Sequence, residues 1–136
     1  MLRQEKPQRK DIRESEVLVS GGGGALDDFE LLQELADRLH GAVSASRMAV
    51  DSGRADRVIQ VGQSGRFVRP KLYIAEGIYG AIQHVAGMKQ AEHVIAVNTD
   101  PLAPICSLAD IVVEADAADF TRKLIRRIDQ EERKEQ

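Results

Sequence analysis

The sequence is poor in several residue types that would point to a specialised class of protein. It has no Trp and one cysteine, Cys106, so an internal disulfide is impossible and metal clusters built on several thiolates are excluded. The net charge at pH 7 is −3, which gives no reason to expect nucleic acid as a partner. No apolar run approaches the roughly 20 residues of a membrane-spanning helix, so no membrane insertion is predicted.

The remaining composition is that of one globular domain. At 136 residues, with 43% hydrophobic and 30% charged residues, the chain can bury a single core without disulfides. Residues 1–16 are polar, lack the apolar stretch of a signal peptide and are predicted to be linker-like. We predict a folded domain over residues 17–128 and a polar tail over residues 129–136, which either frays or extends the last helix.

Short apolar runs alternate with helical patterns along the predicted domain. The apolar runs predict six strands, at residues 17–19, 42–45, 57–61, 72–75, 94–97 and 111–113. Apolar stripes predict helices after residue 28, over residues 78–86 and after Asp116, which is a good helix cap. Strands separated by helices indicate parallel βαβ units, so the predicted fold class is α/β, a three-layer Rossmann-like parallel sheet.

Small or polar residues follow every predicted strand, which indicates a ligand site at the carboxyl edge of the sheet. Four glycines at 21–24 follow the first strand, but Leu26 breaks the dinucleotide fingerprint, so a flexible turn is an equal reading. Gly77 and Gly80 are predicted to open a helix directly after a strand, where free backbone N–H groups favour an anion such as a pyrophosphate.

Two ionisable side chains could act on a ligand at this edge. Arg47 could stabilise negative charge, and its alternative is a solvated surface arginine. His84 lies beside the apolar stripe of its predicted helix, and its alternative is a half-buried histidine bonded to backbone.

Four segments carry specific motifs. Residues 46–51, Ser-Arg-Met-Ala-Val-Asp, are similar to S-R-A-A-V-D, and residues 61–66, Val-Gly-Gln-Ser-Gly-Arg, to V-G-Q-T-G-K. Residues 71–75 and 80–88 are similar to K-L-Y-I-A and G-A-I-Q-H-x-A-G-M, and residues 98–105 to N-x-D-P-x-A-P-I. In this order, over roughly residues 15–128, they resemble the C-terminal FAD-binding domain of electron transfer flavoprotein α subunits.

The resemblance implies a DHS-like NAD/FAD-binding fold, shared with transhydrogenase and sirtuin nucleotide domains, with FAD as cofactor. It implies that Arg47 lies over the isoalloxazine near N5, that Ser64 hydrogen-bonds N5 in place of the usual Thr, and that His84 approaches O2. Other implied contacts to the ribityl, pyrophosphate and adenosine parts are Ser46, Val61, Gly62, Gln63, Tyr79, Gly80, Ala81, Ile82, Gln83, Asn98, Asp116 and Ala117.

The residue types suit electron transfer. A cation at Arg47 and a donor at His84 would both stabilise negative charge on the flavin, by about 1.5–3 kcal/mol for each charge-assisted hydrogen bond. The flavin supplies the redox chemistry, so no nucleophile, general base or metal site is required. We therefore predict an electron carrier and not an enzyme with its own substrate chemistry.

Three residues depart from the family pattern. Gly23 stands where the family has Arg, Tyr79 where it has Ser, and Glu76 where it has a small residue. Tyr79 would crowd a phosphate-binding turn, and the Glu76 carboxylate would repel a pyrophosphate unless it turned to a ribose hydroxyl. These departures support an alternative, a lone nucleotide-binding module for AMP, ADP or no ligand. An NAD(H) enzyme is a third hypothesis, for which only His84 could donate a proton.

The resemblance also implies partners. The family's α subunit has a further N-terminal domain and pairs with a β subunit, so both are expected beside this domain. Redox partners would be dehydrogenases and acceptors of the quinone-reductase type. The expected compartment is the cytoplasm of a bacterium or archaeon, or the mitochondrial matrix of a eukaryote.

Overall fold

A computed structural model describes residues 11–63 and 65–135. Residues 1–10 of the predicted linker-like segment, and the predicted flavin contact Ser64, lie outside the described residues. Within the rest of that segment, Ile12 is buried in the hydrophobic core. The predicted domain boundary at residue 17 therefore leaves out one core residue.

In the described residues, five strands form one parallel sheet. They are β1 (Val17–Gly21), β2 (Ala42–Ala45), β3 (Leu72–Glu76), β4 (His93–Asn98) and β5 (Ile111–Glu114). Their order across the sheet is β2-β1-β3-β4-β5, and every neighbouring pair is parallel. The chain thus proceeds outwards from β1 in one direction and then from β3 in the other. The crevice between β1 and β3 is the switch point at which sheets of this order bind ligands.

The strand predicted at residues 57–61 is not formed. Residues Arg57–Ile59 make a turn of 3₁₀ helix, and only one bridge, between Ala45 and Gln60, joins this segment to the sheet. Gly62 has φ +80° and Gln63 has φ +52°, so the backbone turns away from the edge of β2 and a strand cannot continue.

Five α-helices of the described part of the chain connect and flank the strands. They are α1 (Phe29–Arg38), α2 (Arg47–Asp51), α3 (Ile82–Met88), α4 (Pro104–Leu108) and α5 (Ala117–Lys134). Asp116 caps α5 as predicted, since its carboxylate accepts from the Asp119 N–H at 3.1 Å. Residues 129–134 of the predicted tail continue α5. In the part of the chain that the structure describes, no helix has both the length and the apolar character to cross a bilayer.

Helices cover both faces of the sheet. Tyr73 and Glu76 of β3 point to opposite faces because side chains alternate along a strand. Tyr73 contacts His84 of α3, whereas Glu76 contacts Thr121 of α5, and α5 packs against α1. The three-layer Rossmann-like fold predicted from the sequence is therefore confirmed.

Helix α3 begins later than its apolar stripe predicts. Its first residue is Ile82, and residues 77–81 form a loop in which Gly77 has φ +66° and Gly80 has φ +93°. A helix cannot run through two left-handed residues, and Ile78 is instead buried as part of the core. Gly77 and Gly80 therefore shape the loop before the helix and do not open it.

Candidate functional site

Most of the described residues that are predicted to contact the cofactor lie along one rim of the molecule. Because all five strands are parallel, their carboxyl ends and the loops that follow lie at the same edge. Four spacings of about 4.8 Å separate β2 from β5, so the rim spans roughly 19 Å. Ser46 and Arg47 follow β2 at one end, and Asp116 and Ala117 follow β5 at the other. The predicted contacts after β2 and after β5 thus lie roughly 19 Å apart across the sheet.

Ser46 and Arg47 begin the short helix α2. The Ser46 hydroxyl accepts from the Ala49 N–H at 3.4 Å, and the Ser46 N–H donates to the Gly21 carbonyl, which fixes this turn to β1. Arg47 is exposed and pairs with Asp51 one turn later, at 3.2 Å between Nε and Oδ2. The ion pair holds the guanidinium loosely, since exposed pairs at this spacing contribute only about 0.3–0.5 kcal/mol.

The loop of residues 61–63 is pressed against α3. Val61 donates its N–H to the Ala45 carbonyl at 2.9 Å and is buried. A side chain at Gly62 would collide with the carbonyl of Gln83 and come within 3.0 Å of the His84 Cα. The predicted contacts at 61–62 and at 83–84 are thus brought together. Gln63, next along the loop, is exposed.

The loop before α3 presents both exposed and backbone groups to the rim. Tyr79 is 66% exposed and Ile82 is 85% exposed, so neither belongs to the core. Ala81 is the N-cap of α3, and it is exposed together with Gln83. A Cβ at Gly80 would lie 2.6 Å from the Ile105 N, so this turn packs directly against the start of α4.

At the predicted adenosine end, Asn98 is engaged in holding the loops. Its Nδ2 donates to the Ile78 carbonyl at 2.9 Å, and its Oδ1 accepts from the Asp100 N–H at 2.9 Å. The side-chain amide therefore joins the end of β4 to the loop after β3. Asp116 is exposed at the cap of α5, and Ala117 is buried behind it.

A cleft of about 210 Å³ opens on this part of the rim. Three predicted contacts, Tyr79, Asn98 and Ala117, line it. Its other lining residues are Gly23, Gly24, Met48, Gly77, Val97, Thr99, Asp100, Ala103 and Ala115. Apolar and small groups dominate, and Asp100 carries the single formal charge among these residues.

Two of the residues that depart from the family pattern line the cleft together with Met48. Gly23 and Tyr79 both line it, as does Met48, which stands where the family motif has Ala. A Cβ at Gly23 would come within 2.5 Å of the Met48 Sδ. The thioether thus occupies space that a longer side chain at position 23 would need. Met48 was missed from the sequence because exposure cannot be read from a five-residue helix, although it directly follows Arg47.

Glu76 does not face the rim. Its side chain is fully buried between β3 and the α1–α5 layer, where the Thr121 hydroxyl donates to Oε1 and Oε2 has no partner among the described residues. Burial raises the pKa of Glu76 to about 7, and the nearby Asp28 carboxylate adds to the shift. The expectation that Glu76 repels a pyrophosphate or meets a ribose is wrong, because its side chain is buried against Thr121 of α5, on the face of the sheet opposite to Ala75.

His84 is buried, and it is bonded to a side chain. Its Nε2 lies 2.8 Å from the Tyr73 hydroxyl, which in turn donates to the Ser20 hydroxyl at 2.8 Å. Its Nδ1 is buried without a partner among the described residues. Burial lowers the pKa of His84 to about 4, so the imidazole is neutral at physiological pH. The alternative of a half-buried histidine bonded to backbone does not hold.

Within residues 11–63 and 65–135, no group of three or more His, Cys, Asp or Glu side chains is placed to hold an ion. Cys106 is a buried thiol whose pKa is raised by burial, in agreement with a packing role.

Comparisons with known proteins agree with the motifs. The family model described as the electron transfer flavoprotein FAD-binding domain matches residues 11–89. The mitochondrial electron transfer flavoprotein subunit alpha of Dictyostelium discoideum is 49% identical over 125 residues, covering 90% of this chain and 35% of that protein. The electron transfer flavoprotein subunit alpha of Clostridium acetobutylicum is 47% identical over 120 residues, covering 87% of this chain and 36% of that protein.

The chain thus spans about a third of the length of the curated relatives it matches. Among solved structures, the sugar isomerase domain of the RpiR transcription factor from Sphaerobacter thermophilus superimposes with a TM-score of 0.54. The sequences are 14% identical, and the match covers 91% of this chain and 75% of that one. At this identity the likeness concerns the fold alone.

Proposed function

The chain belongs to the family of electron transfer flavoprotein FAD-binding domains, and we propose that it holds FAD along the carboxyl rim of its sheet and carries electrons through it. One observation carries the proposal. Most of the described residues that the resemblance implicates, from Ser46 after β2 to Ala117 after β5, lie in loops or helix starts at a single rim, and Gln83 and His84 lie in the helix α3 that follows one of these loops.

The residues present fit a flavin dinucleotide. Gly77 and Gly80 adopt left-handed φ angles, and each packs against backbone. Glycine is therefore required at both positions, and no side chain projects from them at the loop. The cleft between Tyr79, Met48 and Ala117 offers mostly apolar surface, which suits an aromatic base. Near the other end, the unpaired Nδ1 of His84 is a buried polar atom whose partner a ligand could supply.

Each residue has a definite task in this proposal. When bound, FAD supplies one-electron chemistry that amino-acid side chains cannot perform. The Arg47 guanidinium brings a positive charge, and little free energy is needed to break its exposed ion pair with Asp51. His84 brings a hydrogen-bonding imidazole that burial keeps neutral. Ser46 and Asn98 fix the backbone of the loops, so they position the site through the protein and not through direct charge.

The alternative of a module without flavin is not favoured, because the matching family and the similar proteins are all named as flavoproteins. Electron transfer between whole proteins is a separate part of the proposal, because this chain covers only about a third of the length of those relatives. We propose that it works beside a β subunit and the N-terminal α domain. Dehydrogenases would deliver the electrons, and a quinone-reductase type acceptor would remove them. The proposed compartment is the bacterial or archaeal cytoplasm or the mitochondrial matrix.

The direct test is whether the purified full chain takes up FAD. The protein is mixed with excess FAD, separated from free cofactor by gel filtration and examined by visible absorption, with circular dichroism as the check of folding. We expect flavin absorption to elute with folded protein. Calorimetric titration with ADP is the comparison. Folded protein that elutes colourless, or that binds ADP as tightly as FAD, would contradict the proposal.

A further inference from the structure

A polar cluster is buried beneath α3, on the face of the sheet opposite to Glu76. It consists of Ser20 on β1, Ser44 on β2, Tyr73 on β3 and His84 on α3, and we call it the hydroxyl cluster. Ser20, Ser44 and Tyr73 are fully buried, and His84 is 6% exposed. Ser20 and Ser44 are register partners on neighbouring strands, so their side chains point to the same face. Four buried polar side chains between the sheet and α3 call for an explanation, because burial of a polar group costs free energy unless the group is hydrogen-bonded.

The cluster forms a chain of hydrogen bonds that ends on the imidazole. Tyr73 donates to the Ser20 hydroxyl at 2.8 Å and lies 2.8 Å from the His84 Nε2. Ser44 makes no hydrogen bond of ordinary geometry among the described residues, yet it stands close enough to stabilise the ionised phenol slightly. Burial dominates and raises the pKa of Tyr73, so the phenol keeps its proton. A phenol can donate one hydrogen bond, and in this arrangement Ser20 accepts it.

That single proton determines the state of His84. If Tyr73 donates to Ser20, the contact with His84 requires Nε2 to carry the imidazole proton and donate to the phenol oxygen. The neutral ring then presents a bare lone pair at Nδ1. If Tyr73 turns its proton to Nε2 instead, the imidazole proton sits on Nδ1, which becomes a donor. Ser20 can then donate to Tyr73, so the two hydrogen bonds that join Ser20, Tyr73 and His84 are kept in either direction.

We propose that Tyr73, backed by Ser20 and Ser44, selects the nitrogen of His84 that carries the proton, and that a ligand carbonyl reverses this selection. The resemblance places residues 80–83, which directly precede His84, against the ligand, and Nδ1 of His84 has no partner among the described residues. A carbonyl oxygen of a flavin accepts hydrogen bonds, so it requires Nδ1–H. One proton leaves Nε2 for water and another reaches Nδ1 from water, while the two hydroxyl protons rotate. The ring stays neutral throughout.

In this view Tyr73 is a positioning residue that acts through His84 and never touches the ligand. The inference rests on the proposed flavin function for the identity of the ligand. The link between the hydroxyls and the His84 proton does not depend on it. The reversal lets a buried histidine donate to a group that gains negative charge without itself becoming cationic, which burial would oppose.

The test is nitrogen NMR on the full chain. The chain has three histidines, so labelling histidine with ¹⁵N gives a spectrum that can be assigned by substitution. Long-range ¹H–¹⁵N correlations distinguish the two neutral tautomers of His84. Without FAD we expect the proton on Nε2, and with saturating FAD on Nδ1. The same tautomer in both samples would overturn the proposed reversal.

Two variants test the link without any ligand. In a double variant, Ser20→Ala removes the acceptor for Tyr73, and Ser44→Ala removes the neighbouring hydroxyl that could replace it. The Tyr73 proton must then turn to His84, and we expect Nδ1–H even without FAD. Tyr73→Phe removes the hydroxyl, so a mixture of tautomers is expected, with FAD binding about fivefold weaker from the loss of one hydrogen bond. An unchanged tautomer in both folded variants would overturn the proposal.

The matched control is Tyr79→Phe, which removes the only other tyrosine hydroxyl of the chain. Tyr79 is exposed on the rim and lies outside the hydroxyl cluster. The tautomer of His84 should not respond to this substitution, whatever it does to FAD affinity. A chain that binds no FAD would contradict the proposed function, yet the ligand-free variants would still decide the role of the hydroxyls.

Discussion

At the scale of the residue, burial gives three ionisable side chains properties that their types alone do not predict. Glu76 has its pKa raised to about 7, His84 has its pKa lowered to about 4, and Tyr73 has its pKa raised. Each shift favours the neutral form, as burial dictates. His84 and Tyr73 are therefore neutral near neutral pH, whereas Glu76 is neutral below about pH 7 and ionises as the pH rises through that value.

Glu76→Gln should remove a pH dependence of folding. The folded protein holds the proton of Glu76 up to about pH 7, whereas the unfolded chain releases it near 4.5. The favourable contribution of the protonated group is thus complete below about pH 4.5 and is lost as the pH rises through 7. By linkage the loss is about 3 kcal/mol. Glutamine keeps the shape and the Thr121 contact but cannot ionise.

Urea unfolding at pH 5 and pH 8 measures the effect. The difference in unfolding free energy between the two pH values should be smaller in Glu76→Gln than in the parent, by up to that amount. Asp28 stays in both proteins, so its own titration cancels. The exposed Glu92→Gln serves as control and should behave like the parent. Parallel pH profiles for parent and Glu76→Gln would contradict the prediction.

Arg47→Ala should change the flavin potential more than the flavin affinity. The guanidinium is exposed and contributes mainly charge, which matters most once the ligand has gained an electron. We expect the one-electron reduction potential to fall by tens of millivolts, where about 59 mV corresponds to a tenfold preference. Redox titration of the bound flavin measures it. Arg54→Ala is the control, because Arg54 is also exposed and pairs with Asp27. Equal potentials in all three proteins would exclude the role.

At the scale of the element, the contact between the loop of residues 61–63 and α3 determines where His84 lies. Gly62 and Gly87 face each other so closely that a Cβ on Gly87 would come within 2.5 Å of the Gly62 backbone. The Val68 N–H donates to the Gly87 carbonyl at 2.7 Å and completes the contact. This crossing holds α3 over the hydroxyl cluster.

Gly62→Ala should therefore destabilise the domain strongly. The new Cβ meets the Gln83 carbonyl, and the residue must also keep φ +80°. Gly53→Ala is the matched control, since Gly53 has φ +82° with nothing within 4 Å. We expect about 1 kcal/mol for the control, from backbone strain alone, and about 2–4 kcal/mol for Gly62→Ala. Urea unfolding of both variants measures the difference, and equal losses would mean that the crossing can relax.

The sequence predicted the regular elements of this fold better than its loops, for a physical reason. Apolar periodicity predicted all five strands and the buried stripe of α1, because burial acts directly on those side chains. It failed at Ile78, where an apolar residue packs from a loop, and at residues 57–61, where Gly62 diverts the chain. The motifs implicated the loops of the site, but neither the direction of Glu76 nor the partner of His84 can be read from them. Both depend on which face of β3 a side chain occupies, and hence on the exact bounds of that strand.

At the scale of the whole molecule, the predicted end of the domain at residue 128 can be tested by deleting residues 129–136. The deletion removes Asp129, whose carboxylate accepts from the Arg38 Nε at 3.1 Å and joins α5 to α1. Both side chains are about one-third exposed and accessible to solvent, so the pair should contribute little to stability. The apolar residues that pack α5 on the core all remain.

Thermal and urea unfolding of the shortened chain should show that small loss, and FAD affinity should not change. Asp129→Ala in the full chain is the control and should cost about as much as the deletion. A much larger loss on deletion would place the end of the domain beyond residue 128.

The strand order also constrains how the domain can assemble. β1 lies between β2 and β3, and its register with β3 joins Val17 to Leu72. During synthesis the first two strands can meet early, but a lone parallel pair is too small to persist. The central strand gains its second neighbour only after β3 has left the ribosome, and pairings so distant in sequence slow folding. The crevice between β1 and β3, where ligands are expected, is thus closed by a late, long-range event, and a nucleotide present at that moment could hasten its completion.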